Sequence, residues 1–484
     1  MKSWKPLWSD WLMLSKSLSK GRPYVFLSAI AANLLFAFFP SEPLHWVISI
    51  LSILIILMVF RAVPRFVQGL STLFLVIGAS LLLASGSAWT QFVTGFGNML
   101  NILSLFALIP FIALPIELGN YAIRIQHMIQ RTIKRSGLLY TMTASLSYIL
   151  SSFMNIATLP MVYQTIRPSL ELFPIEQKER FISRAITHGY SMPIVWTPVA
   201  PIVGIIVEMT GVRWSSILPI MIPFSIFGLF MDGLMGQWIA KRRWKQLDPV
   251  VIREMASARQ AVDEPTLHAR KLSHPIHIVL AILVFTCLIA LLERYTHYSF
   301  LLLVSVAVIP FALLWSTLIG NCRPFLQKGK VMLPAQLLKM KEQFIVFLSA
   351  GFMISAIQTS GAGHVLNGWI MAGKNLIGAD LFLLLIPLIP LALAFVGLHP
   401  AVGLALTAES LNPHALGISP ELTAIAMLTG AATAFLMGPY NATAGMMANL
   451  TKQSSIRISN WNAPFTLAYL IMSMLLLIIL KKGC

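Results

Sequence analysis

AITHGYSMPIVWTPVAPIVGIIVEMTG, residues 185–211, sets Gly189, Pro193, Pro198 and Pro201 into a run otherwise apolar enough to lie in a bilayer. Proline removes a backbone N–H and clashes with the preceding turn. In hydrocarbon, non-helical backbone persists only where protein or a cavity surrounds it. The run therefore predicts a broken membrane helix. A second run, AMLTGAATAFLMGPYNATAGMMANLTK (426–452), carries Gly430, Gly438, Pro439 and Gly445. The two align with Gly189 opposite Gly430 and Pro198 opposite Pro439, at an offset of 241 residues.

Working outward, two more pairs recur in the same order. The tip SSFMNIATLP (151–160) lies opposite FVGLHPAVGL (395–404), pairing Asn155 with His399 and Ala157 with Ala401. The span ending FALIPFIALPIELG (106–119) resembles FLSAGFMISAIQTSG (347–361), each followed by an amphipathic stretch, 120–136 and 362–379. A common order at near-constant spacing predicts two inverted repeats.

Composition agrees with bilayer as the solvent. Hydrophobic residues make up 57% and charged residues 11%, with a mean hydropathy of +0.79, whereas a soluble domain carries roughly 25% charge. Eleven spans are expected near 24–40, 44–60, 67–88, 98–118, 186–211, 214–239, 275–293, 299–318, 342–360, 421–450 and 463–480. Two re-entrant hairpins are expected at 138–165 and 380–411. The fold class is thus an all-α polytopic membrane protein. Its expected divisions are N-terminal scaffold helices (1–97), a first repeat (98–240), a cytoplasmic loop (241–274), scaffold helices with a basic connector (275–341) and a second repeat (342–484).

A net charge of +18 would suggest nucleic acid in a soluble chain. Here the positions of the basic residues decide otherwise. With the N-terminus inside, segments on that side hold 30 of the 35 Lys and Arg, and only Arg213, Arg294, Lys374, Lys481 and Lys482 fall outside them. Such asymmetry is the positive-inside pattern, and it removes the need for a nucleic-acid partner. The N-terminus is expected to be retained in the cytoplasm, the C-terminus outside and the protein in the plasma (inner) membrane, among its lipids. Cys287, Cys322 and Cys484 have no metal-ligand spacing, and no metal is assigned.

Breaks expose half-helix N-termini, where an anion can bind, and carbonyls that can hold a cation. Small polar residues cluster there: Ser151, Ser152, Asn155 and Thr158 at the first tip, Ser191 and Thr197 with Pro198 at the first break, and Thr429, Thr433, Gly438, Pro439, Asn441 and Thr443 at the second. Hydroxyls in membrane helices often bond their own backbone. Asn155 and Asn441 stand out, because a primary amide in lipid needs several partners. His188, His399, Glu117 and Glu409 are candidates for a coupling proton; Glu208 and Asp232 also lie near spans. No Arg or Lys falls in a span centre, so anion binding would rest on helix termini and neutral donors.

These elements resemble the ion transporter superfamily, in particular the divalent anion/sodium symporter type. SSFMNIAT (151–158) is similar to the first Ser-Asn-Thr tip, and VWTPVAP (195–201) and LMGPYNAT (436–443) to its two breaks. The second tip departs, with Leu398-His399-Pro400 in place of the asparagine motif. The resemblance implies a homodimer, an elevator movement against a scaffold, and sodium as a candidate coupling ion; no other cofactor is implied. The expectation is a secondary transporter of a small anionic metabolite, coupled to sodium or protons. An inorganic-anion channel or exporter is the alternative on this scaffold. A membrane enzyme acting on a lipid-linked substrate is the alternative from another class, but paired carboxylates, HExxH and GxSxG are all missing from the sequence.

Overall fold

The structure is a computed structural model that describes residues 7–122, 124–126, 133, 135–171, 173, 175–244, 274–398, 400–411 and 417–483. The loop 241–274 lies largely outside these residues, and the amphipathic stretch at 120–136 does so in part. Among them, eleven helices are long and apolar enough to cross a membrane. The number equals the expected one, but the membership differs. Ser136–Leu170 qualifies by length and composition, although it is two helices that meet at Asn155, whereas the segment expected at 186–211 does not qualify. The reason is local: its first helix starts earlier, at Lys178, with charged Lys178, Glu179, Arg180 and Arg184 in its first turns, and Pro201–Thr210 has only 10 residues.

Packing divides the chain into two units. One comprises Met1–Leu108 with Leu326–Ile370. Within it Lys341–Ser360 lies along Arg65–Ala84, and Phe26 stacks on Phe344 and Phe96 on Phe352, each at 4.3 Å. Gly78 permits this approach, since a Cβ there would sit 2.8 Å from the Phe352 ring. Asn33 donates to Asn101 and Ser104 at 2.8 and 3.3 Å, tying Leu7–Phe38 to Leu100–Leu108. The helix 342–360, expected to open the second repeat, is thus grouped with the N-terminal helices by aromatic stacking.

The other unit comprises Ile109–Phe325 with Met371–Cys484 and contains both tips and both breaks. Its first arm, Ser136–Met154, runs alongside Lys178–Ser191: Tyr140 meets Phe181 and His188, a Cβ on Gly189 would meet Ala144, and Ser152 meets Thr197. The second arm, Thr158–Leu170, runs the other way, with Asn155 at Tyr190 and Tyr163 at Glu179. These contacts place the change of direction at Asn155.

The later segment makes comparable contacts. Leu388–Val396 ends at Gly397, whose φ of 95° lets its N–H and that of Leu398 return to carbonyls of the last turn. Gly403 on the arm Pro400–Ser410 packs against Leu393, so this chain also doubles back. Gly430, in Pro420–Met437, lies against the carbonyl of Pro387 as Gly189 lies against that of Ala144. The second halves are exchanged between the segments. Pro201–Thr210 packs on Pro400–Ser410, and Ala442–Thr451 packs on Thr158–Leu170.

Candidate functional site

Asn155 sits at the first tip with φ 47° and ψ −136°, a conformation that costs a non-glycine residue about 1–3 kcal/mol. Its Oδ1 accepts from the Tyr190 hydroxyl at 3.0 Å. Tyr190 is 1% exposed and also lies within reach of Thr443 at the second break. With Oδ1 held, the Asn155 amide nitrogen meets no acceptor among the described residues, and the tip opens outward at exposed Ala157. Thr158 begins the 13-residue second arm; its buried Oγ1 makes no hydrogen bond. Two unpaired polar groups thus flank one helix N-terminus. A buried polar atom left without a partner costs about 1–3 kcal/mol, so the persistence of the unpaired Thr158 Oγ1 beside a strained backbone marks the tip.

The first break, residues 192–200, is buried throughout. Ser225 Oγ donates to the Met192 carbonyl at 2.7 Å and Trp214 Nε1 to the Trp196 carbonyl at 2.8 Å, both from the long helix Trp214–Trp244. Thr197 Oγ1 donates to the Ser152 carbonyl at 2.7 Å and joins the break to the tip. Trp196 in turn reaches the Tyr148 hydroxyl at 3.0 Å. Pro198 is buried within the break, and Pro201 opens the second half, where no N–H is needed.

At the second break the last four carbonyls of Pro420–Met437 all accept from side chains. Asn441 Nδ2 donates to Ala434 at 2.8 Å and Phe435 at 3.1 Å, Asn462 Nδ2 to Leu436 at 2.8 Å, and Ser459 Oγ to Met437. Asn441 Oδ1 caps the second half by accepting from Ala444 N at 2.7 Å. Its amide is therefore committed to shaping the break, and the carbonyls expected to hold a cation already have donors. Gly438 lets the break approach Ala394, which a Cβ would meet at 2.8 Å, and Pro439 is buried beside it.

Several hydroxyls bond their own helix: Ser151 and Ser152 to Tyr148, Ser191 to Thr187, Thr429 to Ile425 and Thr433 to Gly430. Thr443 is fully buried at the second break. Glu117 is exposed at the end of Pro110–Leu118, and Glu409 is half-buried at the end of Pro400–Ser410. His399 lies outside the described residues. His188 is fully buried and pairs with Asp232. Among the described residues no group of three or more His, Cys, Asp or Glu could hold a metal.

Sequence reasoning missed Tyr190, Trp214, Ser225, Ser459 and Asn462. Only Asn462 carried a usable signal, as an amide in an apolar helix. The others look like ordinary core or helix-surface residues until the breaks they seal are in place.

No protein-family model matches the chain, and no curated protein matches it. Among solved structures, the Alcanivorax borkumensis YdaH transporter, whose crystal structure is described as revealing an unusual topology, superposes with a TM-score of 0.60. The superposition covers 86% of this chain and 98% of that one at 14% identity. Likeness at that identity is one of fold: this chain has the helical fold of a structurally characterised transporter.

Proposed function

We propose that the chain is a secondary active transporter that moves a small anionic metabolite across the membrane. The observation that carries this is the first tip, where Thr158 Oγ1 is buried without a partner at a helix N-terminus and the half-buried Asn155, its Oδ1 held by Tyr190, leaves its Nδ2 available. Neutral donors at a positive helix end suit a carboxylate, and the partial charge there is roughly half an elementary charge.

The recurring glycine contacts and the exchanged half-helices support an inverted repeat. Alternating access then follows as movement of the tips and breaks around one site, with the helices of the other unit as scaffold and with a homodimer as the assembly. The matching order of tips and breaks also supports kinship with the ion transporter superfamily. The charge asymmetry supports an inner-membrane protein with its N-terminus in the cytoplasm. Coupling is to sodium or protons.

Uptake of labelled succinate, chosen as a small dicarboxylate, into proteoliposomes under a sodium or a proton gradient imposed separately tests the proposal. Accumulation under one gradient is expected. Equal flux without any gradient would instead indicate an anion channel. Asn155→Ala should remove uptake while leaving the protein folded.

A further inference from the structure

Three buried titratable side chains meet away from the tip. His188 Nδ1 lies 2.6 Å from Asp232 Oδ1, and the Tyr140 hydroxyl donates to the same oxygen at 2.8 Å. Tyr140 and His188 Nδ1 are 3.2 Å apart. His188 and Asp232 are 0% exposed, and Phe465 stacks on the imidazole at 4.2 Å. The groups come from different elements: Tyr140 from the first arm, His188 from the first broken helix and Asp232 from the long helix Trp214–Trp244. From the terminal helix Ser455–Gly483, Asn462 lies close to the imidazole; Arg184, one turn before His188 on its own helix, is the nearby positive charge.

Asp232 Oδ1 takes two donors while Oδ2 takes none, and His188 Nε2 makes no hydrogen bond within normal geometry. A buried ion pair is neutral or destabilising relative to apolar residues of the same size, so packing alone does not account for it. In a membrane core such groups mark a proton or ion path by default. With Nδ1–H donated to Asp232, Nε2 is the position where a proton can be gained or lost without breaking either contact.

Position connects this proton to transport. Tyr190, two residues after His188, holds the Asn155 tip. Thr187, one residue before it, donates to Asn462 Oδ1 at 3.2 Å, and Asn462 seals the second break through the Leu436 carbonyl. One helical turn thus touches the tip, reaches the second break through Asn462, and belongs to the helix that runs on into the first break.

We propose that the Tyr140–His188–Asp232 cluster is the proton-binding site that couples transport to a proton gradient. The step is an N–H bond formed at His188 Nε2 with a proton from water on one side, and broken with release to water on the other. The proposal rests on the transporter reading above and selects protons over sodium.

Infrared difference spectra of the full-length protein in nanodiscs, between pH 5 and pH 8.5 and without substrate, should show imidazole and carboxyl bands that His188→Gln and Asp232→Asn each remove. Tyr140→Phe, which retains the ring, should displace the titration midpoint with an unchanged elution profile. An ion pair fixed in one protonation state would show no such titration, and that result overturns the proposal. In pyranine-loaded vesicles of phosphatidylethanolamine and phosphatidylglycerol, protons moved per succinate should fall at least tenfold in His188→Gln. An unchanged ratio overturns the coupling role while leaving the transporter standing. If the wild-type protein moves no succinate under any gradient, the transporter reading fails by itself, and the infrared titration still decides whether the cluster binds a proton.

Discussion

The two helix breaks meet the same demand with different donors. At the first, freed carbonyls accept from an indole and a hydroxyl of the following helix, Trp214–Trp244. At the second they accept from Asn441 within the break and from Asn462 and Ser459 of the following helix, Ser455–Gly483. In each case the next helix in the chain supplies donors, because each unsatisfied backbone group in lipid costs several kcal/mol. The shared solution is topological and the side chains are free to differ. The tips differ more: the first is a strained asparagine, and Gly397 leads into the second without strain.

The comparison breaks most forcefully at the matched glycines. A Cβ on Gly189 would lie 2.1 Å from the Ala144 carbonyl oxygen, and one on Gly430 2.5 Å from that of Pro387. Both contacts are with backbone, which cannot swing aside. Gly189→Ala and Gly430→Ala should each cost about 3 kcal/mol or more, with Gly189→Ala the worse, as read by thermal unfolding in detergent. Tolerance of one substitution and not the other would end the claim that the glycines do the same work.

Next comes the donor asymmetry. Asn441→Ala removes a cap and two carbonyl contacts at once and should cost about 2–3 kcal/mol. Ser225→Ala, losing its contact to Met192 O, should cost about 1 kcal/mol. Denaturation midpoints of the two variants side by side check the order; a larger loss for Ser225→Ala would reverse it.

The smallest change in stability carries the sharpest functional contrast. Asn155→Gly relieves the positive φ but takes the acceptor from the buried Tyr190 hydroxyl, so terms of about 1–3 kcal/mol each nearly offset and stability should change little, yet uptake should be lost with the amide. Tyr190→Phe should lower stability by about 1 kcal/mol and weaken apparent substrate affinity by freeing Asn155 Oδ1. Dose–response uptake curves for both separate anchoring of the tip from contact with substrate.

Much of this was legible beforehand. The prolines and glycines of 185–211 and 426–452 announced the breaks, because their effect on a helix is local. Helical segments cover both stretches expected as hairpins: Ser136–Leu170 over 138–165, and Ala379–Leu385, Leu388–Val396 and Pro400–Ser410 over 380–411. Less was legible at the site. Asn155 and Asn441 looked equivalent, and only partners distant in sequence separate them: Tyr190 leaves the Asn155 nitrogen open, whereas neighbouring carbonyls occupy that of Asn441. Asp232 looked like a residue near a span end, and it is fully buried against His188.

The sequence by itself determined the solvent and the breakpoints, because hydropathy and proline stereochemistry act within a few residues. Tertiary structure alone decided which polar groups at those breaks are satisfied and which remain open. A hydrogen bond in the interior depends on what another helix brings within about 3 Å, and no local stretch of sequence contains that distance.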